Sequence, residues 1–348
     1  MNKTHNKLFL FTVILTCLLA CVNHSENSKY TNLFGDYLGQ LEPQEIPQLF
    51  APDLISTANY EGTPTFSSDG KELYYTFGDP SQTYMSIVFM KQVNGKWTKP
   101  ETCSFSGRTS FKDKNPFISP DNHRMYFTSN RPINDTSDVN DNFDIWYVER
   151  SESAWANPVR LDTIINTTDD EDCPSVSNSG TLYYSANYKS GIGSYDIYYS
   201  KRVKNKYSKP VLLDTLINSA SSESYATISQ DEDFILFSSS NYKKGEFGHK
   251  LYISFLNKED ATWTVPSIFD LNIQSDNWDY APRLSHDNKY LFFSSYRSEW
   301  IKPFNLRKPK YKELMWLTKN PVNGGSDIYW VSIKIIEELK TKKSKLKK

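Results

Sequence analysis

Hydrophobic and polar positions alternate in short runs along this chain, and the runs repeat. Thr63–Phe77 (TPTFSSDGKELYYTF), Asn115–Ser129 (NPFISPDNHRMYFTS), Cys173–Ala186 (CPSVSNSGTLYYSA), Tyr225–Ser239 (YATISQDEDFILFSS) and Ala281–Ser295 (APRLSHDNKYLFFSS) superpose with one deletion. Each predicts a short strand, a polar turn carrying Asp or Asn, and a second, more apolar strand. A marker serine (Ser67, Ser119, Ser177, Ser229, Ser285) returns every 52 to 58 residues. A third strand follows, strong in Asp144–Tyr147, Asp196–Tyr199 and Asp327–Trp330 and weaker in Ser86–Phe89 and Lys250–Ile253. An aromatic-x-x-Pro then opens a fourth, at Trp97–Pro100, Trp155–Pro158, Tyr207–Pro210 and Trp263–Pro266. Four antiparallel strands per unit make a propeller blade, so the chain is expected to be all-β, a five-bladed β-propeller.

The fifth unit stops after its third strand, and Pro47–Ile55, ahead of the first unit, reads as the missing fourth. The propeller is expected over residues 47–334, with a closing strand at 47–57 and units at about 58–105, 106–165, 166–217, 218–272 and 273–334. The last blade is thus closed by the N-terminal strand, which pairs two edges that would otherwise invite aggregation. An open repeat array or a pair of β-sandwiches is the alternative.

The pattern P-x-[FIV]-S-x-[DN] followed by [LM]-[YF]-[YF]-[ST], as in Pro116–Asp121 and Met125–Thr128, resembles the PD40, or WD40-like, repeat of TolB-type propellers over roughly Pro47 to Ser332. The resemblance implies the fold and not one activity. The chain lacks the mixed α/β domain that precedes the TolB propeller, and it has five units where that protein has six blades. A TolB partner role is therefore not carried over.

The two ends carry other information. Lys3 and Lys7 precede an apolar run, Leu8 to Ala20, so residues 1–20 read as a signal peptide. Leu18-Leu19-Ala20-Cys21 resembles a bacterial lipobox, which makes Cys21 the expected lipidation site; an ordinary cleaved signal is the alternative. Residues 21–46 are expected to be a lipidated tether with a short helix near Tyr30 to Leu41, and residues 335–348 a basic, solvated C-terminal tail. The expected location is the cell envelope, lipid-anchored at the outer membrane, with periplasmic or surface exposure open. Cys103 and Cys173 fall at non-equivalent repeat positions, and their pairing is open. A net charge of −1 gives no global field for nucleic acid. No Cys/His spacing suggests a metal, and no cofactor is expected.

Candidate chemistry gathers on the top face, where connectors into first strands meet those joining second to third strands. Three residues before Pro64, Pro116, Pro174, Ala226 and Pro282 stand Glu61, Asp113, Glu171, Glu223 and Asp279. They read as acids ringing the channel mouth, with a structural role preferred: bonding to backbone or to the hydroxyls of Thr76, Thr128, Ser185, Ser238 and Ser294. Asp69, Asp121, Asp231 and Asp287 read as turn formers on the opposite face. The connector Arg297 to Gly325 is long for a loop and mixes basic with aromatic residues. Arg297, Trp300, Arg307, Lys308, Tyr311 and Trp316, with Arg131 from the equivalent connector of the second unit, are the candidate binding residues. No G-x-S-x-G elbow or sialidase-type Asp box is present, and no catalytic residue is assigned. The expected function is non-catalytic binding or scaffolding of a protein or glycan through the top face. A carbohydrate-active enzyme, hydrolase or lyase, with its site at the channel mouth is the alternative.

Overall fold

The computed structural model describes residues 33–134, 139–151, 154–240, 248–269, 273–298 and 308–346, with side chains to Thr341 in the last segment. Cys21, Trp300 and Arg307 lie outside the described residues. Five antiparallel sheets follow in chain order. The first three strands of blade 1 are Tyr60–Phe66, Glu72–Gly78 and Met85–Val93; those of blade 2 are Asp113–Ile118, Arg124–Ser129 and Asp144–Ser151. Blade 3 has Glu171–Val176, Leu182–Ala186 and Asp196–Ser200, and blade 4 has Ser222–Ile228, Phe234–Ser240 and His249–Asn257. Blade 5 has Asp279–Leu284, Tyr290–Ser295 and Asp327–Ser332, and its outer strand is Gln48–Leu49, paired with Trp330 and Tyr329. The ring closes through the N-terminal strand. Each first strand touches the first strands of both neighbouring blades, which places these five around a central channel.

Local chemistry explains the repeat. The marker serine accepts the N–H that opens the second strand and donates to the turn aspartate: Ser67 receives Glu72 N–H (2.9 Å) and gives to Asp69 (2.6 Å). Ser119 with Asp121 and Ser285 with Asp287 do the same, whereas Asp231 takes the Asn178 amide of blade 3. A left-handed residue completes each turn, Gly70, Asn122, Gly180, Glu232 or Asn288, the conformation that Gly and Asn tolerate best. The outer strands of blades 1 to 4 are split in two. Lys96–Trp97 and Glu101–Thr102 flank Pro100, as Thr262–Trp263 and Ser267–Ile268 flank Pro266, because proline has no N–H for the ladder.

Every first strand is also bulged at the same place, where Thr63, Asn115, Cys173, Tyr225 and Ala281 take φ of 50–56°. A side chain in that region is strained and persists where neighbours fix it. Here the bulge turns its N–H toward the preceding blade: Thr63 donates to Ser294 Oγ (3.2 Å), Asn115 to Thr76 Oγ1 (2.9 Å) and Cys173 to Thr128 Oγ1 (3.1 Å).

Apolar clusters fill the joints between blades. Tyr126, Ile145 and Ile165 meet Leu182 and Tyr184 between blades 2 and 3, and Leu236, Leu251 and Ile253 meet Leu291 and Phe293 between blades 4 and 5. Two expectations for the ends need correction. From Leu33 onward the tether is packed on the ring: Tyr37 and Leu38 are buried, and Trp97 N–H donates to the Leu33 carbonyl. In place of the helix expected near Tyr30 to Leu41 there is one short turn, Asp36–Gly39, with Tyr37 and Leu38 at positive φ. The helical spacing that starts at Ile335 is realised in a helix, Lys334–Leu346, but its start is docked and not solvated, with Ile336 and Leu339 on the blade 4/5 cluster. In both, a few apolar side chains outweigh a polar average that sequence composition reports.

Candidate functional site

The five top-face acids are buried and engaged. The Thr57 hydroxyl and N–H donate to Glu61 (2.5 and 2.9 Å), those of Thr167 to Glu171 (2.7 and 3.0 Å) and those of Ser219 to Glu223 (2.7 Å each). Ser275 donates likewise to Asp279, and Ser106 to Asp113 (2.8 Å). Burial outweighs these bonds and pushes Glu61 up to about 8 and Glu171 up to about 7. The hydroxyls expected to meet the acids point elsewhere. The acids lie opposite Phe77, Ser129, Ala186, Ser239 and Ser295, one residue further along, so Ser239 and Ser295 make that contact (2.5 and 2.6 Å). Strand alternation is the reason.

Arg131 and Arg297, expected to face a ligand, are consumed at equivalent places. Arg131 Nη2 binds Asp113 at 2.7 Å, with its guanidinium beside Phe111, Phe127 and Trp146. Arg297 Nε reaches Asp279 at 3.4 Å, with its guanidinium over Phe293 and Tyr329. Each replaces water around a buried carboxylate. Lys308 is exposed, and Tyr311 (76% exposed) and Trp316 (62%) project from a helix, Tyr311–Leu317. Both ends of that connector are stitched to the ring: Ser298 bridges Asn323, whose amide donates to the Ala58 carbonyl.

The channel mouth on this face opens into a cavity of about 330 Å³ that none of these residues lines. Its walls are Tyr60, Tyr225, Tyr280, Tyr296, Trp278 and His249. Ring centroids run in a chain, Tyr225–Tyr280 at 5.1 Å, Tyr280–Tyr296 at 5.6 Å, Trp278–Tyr296 at 6.1 Å and His249–Trp278 at 4.8 Å. Gln82 Nε2 donates to the Tyr296 hydroxyl (2.9 Å), and Tyr280 donates to Tyr60 (3.1 Å), so hydrogen bonds tie the wall together. Among the described residues Asp172 is the one carboxylate on the lining, and Lys114 sits 2.6 Å from it. Burial alone would raise the Asp172 pKa, but Lys114 outweighs it and holds the carboxyl below its ordinary range. The six come from blades 1, 4 and 5: Tyr60, Tyr225 and Tyr280 from first strands, His249 from a third strand, Trp278 from the connector into a first strand and Tyr296 from the connector after a second strand. They escape a reading of the repeat because the residue changes from blade to blade at these positions, as at the bulge, which holds Thr63, Asn115, Cys173, Tyr225 and Ala281.

Cys103 and Cys173 are buried, unpaired thiols. Among the described residues no group of side chains is arranged to hold a metal ion.

No family model matches the chain, and no curated protein does. Solved structures resemble it at the level of fold. A TolB-like protein of Agrobacterium tumefaciens is 16% identical over 68% of this chain and 70% of that one, with a TM-score of 0.44. An α-L-arabinofuranosidase of Lactobacillus brevis is 12% identical over 80% and 91%, with a TM-score of 0.47. The catalytic domain of a Coprinopsis cinerea GH62 α-L-arabinofuranosidase is 9% identical over 84% and 98%, at 0.46. The fold and site together define a five-bladed β-propeller with an aromatic cavity at one channel mouth.

Proposed function

We propose that this chain is a PD40-type, TolB-like binding propeller, lipidated at Cys21 and held at the outer membrane, that engages a glycan or a protein group at its top-face channel mouth without turning it over. The observation that carries this reading is how the carboxyl groups are used. Glu61, Asp113, Glu171, Glu223 and Asp279 each hold a connector in place, and Asp172 is tied to Lys114, which leaves the aromatic cavity, among the described residues, without a carboxyl pair for general acid and base. A rigid, concave wall of Tyr and Trp is suited to binding. Lys308, Tyr311 and Trp316 add an exposed basic and aromatic rim on the same connector system.

A glycan array probed with the full chain and with Trp278→Ala tests this. Capture by the wild type and its loss in Trp278→Ala, with Trp316→Ala intermediate, is the expected result. Equal capture by all three would sink the site.

A further inference from the structure

The hairpins that join third to outer strands lie on the lower face, opposite the channel mouth, beside the marker turns: Gln92 N–H donates to the Lys71 carbonyl, Arg150 N–H to the His123 carbonyl, and the Arg202 stem lies over Gly180. Two of these hairpins match position by position, Lys91-Gln92-Val93-Asn94-Gly95-Lys96-Trp97-Thr98-Lys99-Pro100 in blade 1 and Lys201-Arg202-Val203-Lys204-Asn205-Lys206-Tyr207-Ser208-Lys209-Pro210 in blade 3. In each the valine pairs with the third residue after it across a two-residue turn, Val93 with Lys96 and Val203 with Lys206. Their lysines are exposed and, among the described residues, make no ion pair. No acid stands between Asp196 and Asp214. The other two hairpins differ: in blade 2 Arg150 is held by Glu72 and Glu149 by Arg124, and in blade 4 Lys258 is held by Asp233 and followed by Glu259 and Asp260.

A need for solubility does not explain two details. Val93 is 50% exposed and Val203 61%, each at the tip of a basic hairpin. Lys204 sits at φ 57°, where blade 1 has Asn94 at φ 53°; asparagine tolerates that region and lysine does not, so the extra cation is kept against backbone strain. Both chain ends reach the same face. Half-exposed Phe34 bridges Lys96, whose ammonium lies 5.9 Å from its ring centroid, and the Leu33 carbonyl accepts Trp97 N–H. From Leu33 back to Cys21 is about a dozen residues, a reach of at most about 40 Å. In blade 5 the helix Lys334–Leu346 takes the hairpin's place, its preceding Ile333 N–H bonded to the Lys289 carbonyl, with Lys334 and Lys340 exposed. The sequence then ends in Lys342-Lys343-Ser344-Lys345-Leu346-Lys347-Lys348.

Basic side chains around an exposed apolar tip match the boundary between lipid headgroups and acyl chains, and the attraction is local, as a net charge of −1 requires. Tips carried on separate blades suit a broad, flat surface better than a single chain or a duplex lying in a groove. We infer that the lower face docks on an anionic lipid surface through the hairpin tips of blades 1 and 3 and the C-terminal helix, which turns the channel mouth away from the membrane. This inference does not rest on the reading of the cavity.

Vesicle co-sedimentation tests it, with the full chain carrying Cys21→Ser so that no acyl chain contributes. Vesicles of phosphatidylcholine with phosphatidylglycerol should bind at least about a hundredfold tighter than phosphatidylcholine alone, and Lys201→Gln/Lys204→Gln/Lys206→Gln should lose at least about tenfold of that preference. Lys204→Asn, which gives blade 3 the turn residue of blade 1, should lose roughly fivefold and melt no lower than the parent. Lys310→Gln/Lys312→Gln/Lys319→Gln removes equal charge from the top-face connector and should leave vesicle binding unchanged. An equal loss from that control makes net charge the cause and overturns the assignment of the face. Absence of a preference for phosphatidylglycerol overturns the inference outright. Displacement by glycerol phosphate overturns it in favour of a discrete phosphate site, and a DNA duplex bound as tightly as the anionic vesicles overturns it in favour of a general polyanion site.

Discussion

The Asn218 side chain extends the sheet beside Ile197: its Oδ1 accepts the Ile197 N–H at 2.7 Å and its Nδ2 donates to the Ile197 carbonyl at 3.0 Å. Nδ2 also reaches the Leu213 carbonyl (2.9 Å), so one amide satisfies three backbone groups where the outer strand of blade 3 has ended. Asn166 does the same for Ile145, Gln274 for Leu251 and Ser56 for Ile328. The next residue, Ser219, Thr167, Ser275 or Thr57, then clamps the top-face acid. Four of the five outer strands thereby hand over to the next blade through a two-residue latch, and between blades 1 and 2 Ser106 alone accepts the Ile87 N–H and donates to Asp113.

Replacing Asn218 by Ala should strand those backbone groups in a buried site. A loss of about 3 kcal/mol is expected, read by chemical denaturation. Asn218→Ser, the residue that blade 5 uses, should lose less. Equal, negligible losses would mean that water serves these groups instead.

Asp113 and Arg131 should behave as a buried pair. Arg131→Met alone leaves the carboxylate unpaired and should cost roughly 3–5 kcal/mol. Adding Asp113→Asn should recover most of that in a double-mutant cycle. Additive losses would show that the two side chains act separately.

Ring closure depends on Tyr37 as well as on Gln48–Leu49. Its ring packs 4.9 Å from Tyr290 and 5.6 Å from Trp330, and its hydroxyl donates to Asp287 at 2.6 Å. Tyr37→Ala should cost about 3–5 kcal/mol, and Tyr37→Phe only about 1 kcal/mol. A matching small effect for both would return this segment to the role of a tether.

Burial raises Glu61 from 4.5 to about 8, Glu171 from 4.5 to about 7 and Asp327 from 3.8 to about 7. Each folded-state value exceeds the unfolded one, so the stability these groups contribute is full below about pH 4 and is lost as pH rises toward 8. Asp69, Asp121 and Asp287 are shifted down and lose their contribution only below that window. His249, held low by burial, opposes the trend near its ordinary value of 6.5. Melting temperature should therefore fall between pH 5 and 8, with a slope of up to about 1.4 kcal/mol per pH unit for each raised carboxyl. Glu61→Gln should flatten the curve; a rise in stability across this window would contradict the shifts.

The blades were legible because strand period, turn chemistry and the marker serine repeat with the fold. So was the closing strand, since one unit lacked its fourth. The latch was also in the sequence, as Ile165-Asn166-Thr167, Ile217-Asn218-Ser219 and Ile273-Gln274-Ser275, but its meaning depends on where the outer strand stops. Arg131 and Arg297 misled because each stands 18 residues after an acid, a separation that shows contact only once strand register is known. The cavity was least legible. Tyr60, Tyr225, Trp278 and Tyr296 meet through ring closure, at separations no local pattern encodes.

The most direct measurement combines affinity and fate of a captured saccharide. A glycan taken from the array is incubated with the full chain, its binding is titrated, and the solution is analysed by mass spectrometry. A binding propeller returns the saccharide intact, with affinity lost in Trp278→Ala. Cleaved saccharide, with turnover abolished by substitution of Asp172 or one of the five top-face acids and the fold retained, would contradict it.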